Sequence, residues 1–260
     1  MNGEWIFRIP RRPESEATLE KEARLLPALA PALPVAVPRY EHVWRGEAPP
    51  RILVGYRRIP GERLSREAFR GPGGAALGEQ VAAFLTALHA FPLGRAAEAG
   101  IAADDPEAWR RGYERFFARI RREAFPVLEP RERRWTARVC EEYLEEADHF
   151  RFAPVLLHRD LEAVHVLHDP ASGRITGVID WGDASAGDPA FDFTGLLMDL
   201  GEPVARAVLA AYRGPKDAGM LERARFYANV APFHGIIYGR QLGHAEWTRE
   251  GLDRLRALVD

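Results

Sequence analysis

Cysteine occurs once in this chain, at Cys140, so no internal disulfide can form and a reducing cytoplasm is the expected compartment. Lysine is nearly as rare. It appears only at Lys21 and Lys216, and arginine supplies the rest of the 36 basic residues. Methionine, asparagine and glutamine are also scarce. That scarcity suits a thermophilic source, and a GC-rich genome accounts for the arginine and alanine excess equally well. No window reaches about 18 uninterrupted apolar residues, which excludes a membrane-spanning helix. The opening Met-Asn-Gly-Glu-Trp lacks the basic-then-apolar plan of a signal peptide. With a formal net charge of −2, the chain has no basic excess of the kind a nucleic-acid surface requires. Neither internal repeats nor low-complexity segments occur.

What remains is ordinary for a soluble globular protein: 260 residues, 47% hydrophobic and 28% charged, enough for one large domain or two lobes with a sizeable core. Residues 4–9 read as a strand ended by Pro10, and residues 15–30 as a helix with Leu19, Leu25, Leu26 and Leu29 on one face. Glu22 shares that buried face. A carboxylate there needs a cationic partner, and Arg8 on the preceding strand can supply it. A proline-rich connector over 31–38 leads to strands at 40–45 and 52–57. Helices follow at 75–91, 105–122 and 130–150, then at about 189–200, 202–213, 218–240 and 248–259. Their mixed charge runs are solvated faces.

The chemistry concentrates between residues 156 and 193. The β-branched runs 164–168 and 175–179 flank the turn signal Asp169-Pro170-Ala171-Ser172-Gly173, which predicts a hairpin. Asp160 precedes the first strand, His165 begins it and Asp180 closes the second. Hairpin pairing then brings all three to one mouth, as a phosphoryl-transfer site requires: a carboxylate for the attacking hydroxyl and ligands for Mg²⁺. A zinc site built from His158, Asp160, His165 and His168 is the competing reading. It is disfavoured because strand alternation turns His165 and His168 to opposite faces, and the chain lacks the H-x-x-x-H spacing of zinc hydrolases.

His158-Arg159-Asp160, then His165, Ile179-Asp180-Trp181-Gly182-Asp183 and Gly187-Asp188-Pro189 together resemble the catalytic signature of the aminoglycoside phosphotransferase family. Most members have Asn where this chain has His165; His followed by Val-Leu is similar to the aminoglycoside 2''-phosphotransferases. The tail from Tyr238 to Leu252 resembles the end of that subgroup, so the likeness runs through nearly the whole chain.

This resemblance implies an α+β, bilobal, protein-kinase-like fold, with a small β-rich N lobe over 1–58 and a mainly helical C lobe over 59–260. The family's usual opening strands and Gly-rich phosphate lid do not occur ahead of Arg8 in this sequence, through either a misassigned start or a real loss, so the N lobe is expected to be short. The implied activity is transfer of the γ-phosphoryl of ATP or GTP to a small-molecule hydroxyl, the implied acceptor being an aminoglycoside, with a different sugar, an amino alcohol or a macrolide as alternatives. The contrasting expectation is a lidless, non-catalytic nucleotide or ligand binder.

By the same resemblance, Asp160 orients the hydroxyl, and His165 and Asp180 hold Mg²⁺. Arg8, fixed by Glu22, meets the phosphates, with Arg57 and Arg58 also on the nucleotide side. Asp183, Asp199, Glu202, Glu246 and Trp247 fall where the subgroup gathers acids and aromatics around a polycation, and surface acids of no special role fit those positions too. Asp183 can instead sense the metal, and Asp192 can anchor the catalytic loop; either also fits as a plain helix-start acid.

Overall fold

A computed structural model describes residues 3–71 and 73–259. In chain order the elements are β1 (Trp5–Arg8), α1 (Pro13–Leu29), β2 (Tyr40–Arg45), β3 (Ile52–Arg57), β4 (Glu62–Arg63), α2 (Arg66–Arg70), α3 (Gly74–His89) and α4 (Leu93–Glu98). These are followed by α5 (Pro106–Glu123), α6 (Pro130–Glu145), β5 (Val155–Leu157), β6 (Val166–Asp169), β7 (Arg174–Val178) and β8 (Ser185–Gly187). The chain finishes with α7 (Glu202–Ala211), α8 (Met220–Val230), α9 (Pro232–Leu242) and α10 (Ala245–Val259). Two compact units result, one of residues 1–103 with 154–216, the other of 104–153 with 217–260.

Among the described residues, the strands all fall in the first unit. β1, β3 and β2 form an antiparallel sheet in that order. Ile52 and Val54 on one face of β3 are fully buried and pack with Leu19 of α1, as the apolar spacing of that helix requires. A register shift between Tyr40 and His42 interrupts the β2 pairing. The hairpin expected from the runs 164–168 and 175–179 forms: β6 and β7 pair with Val166 opposite Val178, and the short β4 adds a third strand. His165 does not begin β6. It closes a one-turn 3₁₀ segment, Ala163–His165, ahead of the strand, because the backbone is still turning out of the loop that carries Asp160.

β5 and β8 form a separate antiparallel pair, with Leu156 opposite Ala186. All three β5 residues are buried, and the strand delivers the chain directly into His158-Arg159-Asp160. Beyond β8 the stretch expected as one helix over 189–200 is a 3₁₀ segment, Pro189–Phe193, and then a single wide π turn, Leu196–Leu200. Asp188 does cap its start, accepting from the Ala190 N–H at 3.0 Å.

The second unit is helical and is built on aromatic packing. Tyr143 and Phe226 stack with ring centroids 3.5 Å apart, and the Trp109 indole donates to the Tyr227 hydroxyl at 3.0 Å. Glu132 of α6 is fully buried and accepts from Arg256 of α10 at 3.2 Å. The helix expected over 218–240 is two helices, because Pro232 has no N–H to continue the first. The helix expected over 130–150 ends at Glu145, ahead of a short 3₁₀ segment at 147–150.

Candidate active site

The three residues expected at the hairpin mouth do converge. Asp160, His165 and Asp180 each offer an atom such that all lie within 4.8 Å of one another. The hairpin produces this directly: the Ile179 N–H donates to the His165 carbonyl at 2.9 Å, so the residue after Ile179 emerges beside the imidazole. His165 Nδ1 sits 2.7 Å from the Asp160 carbonyl oxygen. A carbonyl only accepts, so Nδ1 carries a proton, and Nε2 lies 3.7 Å from Asp180 Oδ2, where the neutral ring with that tautomer offers its lone pair. That tautomer leaves one imidazole nitrogen and two carboxylates for a cation. Mg²⁺ prefers oxygen, and the two carboxylates supply it; the imidazole completes the set with a fixed ring orientation. The donor set fits a divalent cation.

Burial pushes the Asp160 carboxyl up to about 6; His165 opposes this, and the negative Glu162, Asp183 and Asp180 add to it. Asp160 is thus held near the range where a carboxylate can exchange a proton with a substrate at neutral pH.

Two backbone residues beside the site adopt left-handed conformations without being glycine, Arg159 with φ 68° and Asp180 with φ 65°. Such conformations cost on the order of 1–3 kcal/mol each and persist only where the surroundings enforce them. The enforcement is visible. The buried Asp192 carboxylate accepts the N–H of His158 at 2.9 Å and of Arg159 at 2.8 Å. His158 ties the two halves of the site together: its Nε2–H donates to the Ile179 carbonyl at 3.0 Å, and its Nδ1 accepts from the Asp160 N–H at 3.3 Å. Burial lowers the pKa of this imidazole, which suits the neutral form those two bonds require. Asp192 also receives His89 Nε2 at 3.3 Å, and Tyr212 meets the other nitrogen of that ring at 2.6 Å.

On the strand side, Arg8 Nη1 donates to both carboxylate oxygens of Glu22, at 2.6 and 2.9 Å. Tyr40 joins them, its hydroxyl 2.5 Å from Glu22 Oε2. Burial raises the Glu22 pKa while Arg8 and Tyr40 pull it down. The charge of Asp180 also acts on Arg8, so the pair faces the same region as the hairpin mouth. Helix α1 lies close against the segment after Asp180. Lys21 donates to the Ala184 carbonyl at 2.8 Å, and a β-carbon on Gly182 would come within 3.0 Å of the Thr18 side chain. Tyr40 and Lys21 were not singled out from the sequence. A tyrosine at the start of a strand and a lysine on a charged helix carry no signal until the fold brings them to Glu22 and Ala184.

The other candidates are placed as follows. Arg57 stands opposite Trp5 in the register, on the face of the sheet turned away from Arg8; there it stacks on Trp5 and approaches Glu41 at 3.7 Å. Arg57 and Arg58 line a cleft of about 410 Å³ with Gly3, Glu4, Pro60 and Gly61. Asp183 is exposed and acts electrostatically on both Lys21 and Asp160. The Asp199 carboxylate accepts the Ala163 N–H at 2.8 Å. Glu202 accepts from Arg206 one turn along α7. Glu246 and Trp247 lie on α10 of the second unit, exposed, with Trp247 against the His244 ring at 4.5 Å. His168, from the zinc reading, is outside the Asp160 group and its Nδ1 meets the Glu62 carbonyl.

Residues 1–227 match the family described as phosphotransferase enzyme family. The chain belongs to that family. Viomycin phosphotransferase of Streptomyces vinaceus is 30% identical over 213 residues, covering 81% of this chain and 71% of that protein. The GDP and kanamycin complex of APH(2'')-IIIa superposes with a TM-score of 0.90 at 26% identity, covering 98% of this chain and 86% of that one. A macrolide 2'-phosphotransferase from Brachybacterium faecium gives a TM-score of 0.77 at 25% identity, covering 96% and 84%. This phosphotransferase therefore has the kinase-like fold, with a small β-rich region and a mainly helical remainder. Among the described residues no helix is long and apolar enough to cross a membrane.

Proposed function

We propose that this phosphotransferase moves the γ-phosphoryl of ATP or GTP to a hydroxyl of an aminoglycoside or a related sugar or amino alcohol. The observation that carries the reading is the convergence of Asp160, His165 and Asp180 within 4.8 Å, beside an Arg8–Glu22 pair. Asp160, with its raised pKa, orients the acceptor hydroxyl and takes its proton. Asp180 and His165 would hold Mg²⁺, which when bound neutralises charge on the phosphates. Arg8, fixed by Glu22 and Tyr40, meets those phosphates as a cation. Arg58, lining a cleft just beyond β3, is offered to the nucleotide.

The acceptor class is supported by relatives whose names and complexes concern viomycin, kanamycin and macrolides. Asp183 and Glu202, both in the first unit, are the acids proposed to receive a polycationic acceptor. A cytoplasmic setting, where nucleotide is abundant, fits this chemistry and the single buried thiol.

The test is direct. The purified chain is incubated with Mg²⁺, ATP or GTP, and kanamycin, gentamicin, viomycin or a macrolide in turn, and products are read by mass spectrometry. Gain of one phosphoryl group on an amino-sugar acceptor is expected. Nucleotide turnover that no hydroxyl acceptor stimulates would overturn the reading.

A further inference from the structure

The loop that carries Asp160 has little regular structure of its own, yet its position decides where the carboxylate meets a substrate. One segment, 189–200, holds it. At its near end the Asp192 carboxylate takes the N–H groups of His158 and Arg159. Seven residues further on, the Asp199 carboxylate takes the N–H of Ala163 at 2.8 Å, on the other side of Asp160. Between the two, Gly195 lies against the loop so closely that a β-carbon there would run into the Leu161 carbonyl oxygen. Only glycine lets the segment approach that far.

The irregular geometry of the segment fixes where Asp199 stands. Gly201 closes the wide turn by sharing its N–H between the Leu196 and Leu197 carbonyls, at 3.1 and 3.2 Å. From α2, Arg66 donates to the Asp199 carbonyl through Nε at 3.3 Å and Nη2 at 3.2 Å. The backbone carbonyl of Asp199 and its Oδ2 are therefore both engaged by the protein itself.

We infer that Asp199 is a positioning residue: its carboxylate clamps the far end of the catalytic loop as Asp192 clamps the near end, and so sets the Asp160 carboxylate. The inference rests on the reading of Asp160 as the group that takes the acceptor proton. It differs from the expectation of Asp199 as a substrate-side acid in what the neutral isostere does. An asparagine carbonyl still accepts the Ala163 N–H, whereas it offers no charge to a cationic substrate.

The experiment compares Asp199→Asn and Asp199→Ala in the full chain, with steady-state kinetics on whichever acceptor the wild type phosphorylates and amide hydrogen exchange at Ala163. Asp199→Ala is expected to lower kcat about 10- to 100-fold with acceptor KM within about threefold, since a small misplacement of a reacting group costs that much. Asp199→Asn is expected to stay within about threefold in both parameters. Exchange at Ala163 should accelerate in the alanine variant and not in the asparagine one. A raised acceptor KM with kcat retained in both variants would overturn the inference, as would unchanged kcat and exchange in Asp199→Ala. Should Asp199→Ala fail to fold, a tenfold rise in acceptor KM for Asp199→Asn would overturn it on its own, about 1.4 kcal/mol of lost substrate binding, and wild-type kinetics would support it. A wild type that phosphorylates no acceptor defeats the proposed function instead, and the exchange comparison alone then decides the clamp.

Discussion

Arg8 and Glu22, on β1 and α1, meet through a single guanidinium nitrogen placed 2.6 and 2.9 Å from the two carboxylate oxygens. Glu22 is wholly buried and Arg8 half-buried, so the carboxylate cannot turn to bulk water if its partner is lost. Arg8→Ala leaves Glu22 with Tyr40 alone and is expected to destabilise the fold by about 3 kcal/mol, the penalty of an uncompensated buried charge. That deficit depends on pH. Burial already raises the Glu22 pKa, and removing Arg8 raises it further. A carboxyl whose folded pKa lies above its unfolded value destabilises the fold most when both forms are ionised. The penalty fades as pH falls through the folded pKa toward the unfolded one. Urea midpoints at about pH 8 and about pH 5 should therefore show the variant closing part of its gap to the wild type at the lower pH. A gap that widens instead would mean Glu22 is not the group left behind.

Asp160→Asn is expected to keep nucleotide binding and lose turnover by about 100- to 10,000-fold, the range for removal of a general base. Asp180→Asn is expected to weaken binding of the Mg²⁺–nucleotide itself. Calorimetric titration of ATP and GTP at limiting Mg²⁺ separates the two. Equal affinity for wild type and Asp180→Asn would remove Asp180 from the cation site.

Turnover should carry an acid limb set by Asp160. Its carboxyl is pushed up to about 6, chiefly by burial, and the protonated form cannot accept a proton from the substrate hydroxyl. kcat/KM for the acceptor is expected to fall as pH drops through about 6. A profile that stays level down to about pH 4.5 would place the working carboxylate elsewhere.

Cys140 offers a probe of global unfolding. Its thiol is buried in α6 and pushed up to about 12, by burial first and by Glu141 second. The thiolate is the reactive form, so a disulfide-exchange reagent at neutral pH should leave the native protein unlabelled and react fully in denaturant. Rapid labelling of the native chain would contradict the packing around α6.

Several features could be read from residue order alone because they depend on local periodicity and spacing. The apolar stripe of α1 put Glu22 on the buried face and called for a cation, and the two β-branched runs around Asp169-Pro170 announced the hairpin that gathers Asp160, His165 and Asp180. The two- and three-residue strands β4, β5 and β8 and the short helices α2 and α4 were not legible, since segments of that kind show no period and exist because a distant partner pairs with them or covers them. Pro232 was visible, but whether it kinked or ended a helix depended on packing within the second unit.

The irregular course of 189–200 is the clearest case of what tertiary structure decided. Nothing in Asp192-Phe193-Thr194-Gly195-Leu196-Leu197-Met198-Asp199 distinguishes it from a helix-start sequence with two ordinary acids. The fold brings the loop at 158–163 back from over thirty residues away, so that its N–H groups meet those carboxylates and its Leu161 carbonyl lies where only glycine fits beneath it. Residue types and spacing determined which groups could do the chemistry. Long-range hydrogen bonding determined which of them gather at the hairpin mouth and which take up the N–H groups of the loop beside it, because a buried backbone amide must find an acceptor wherever the fold provides one.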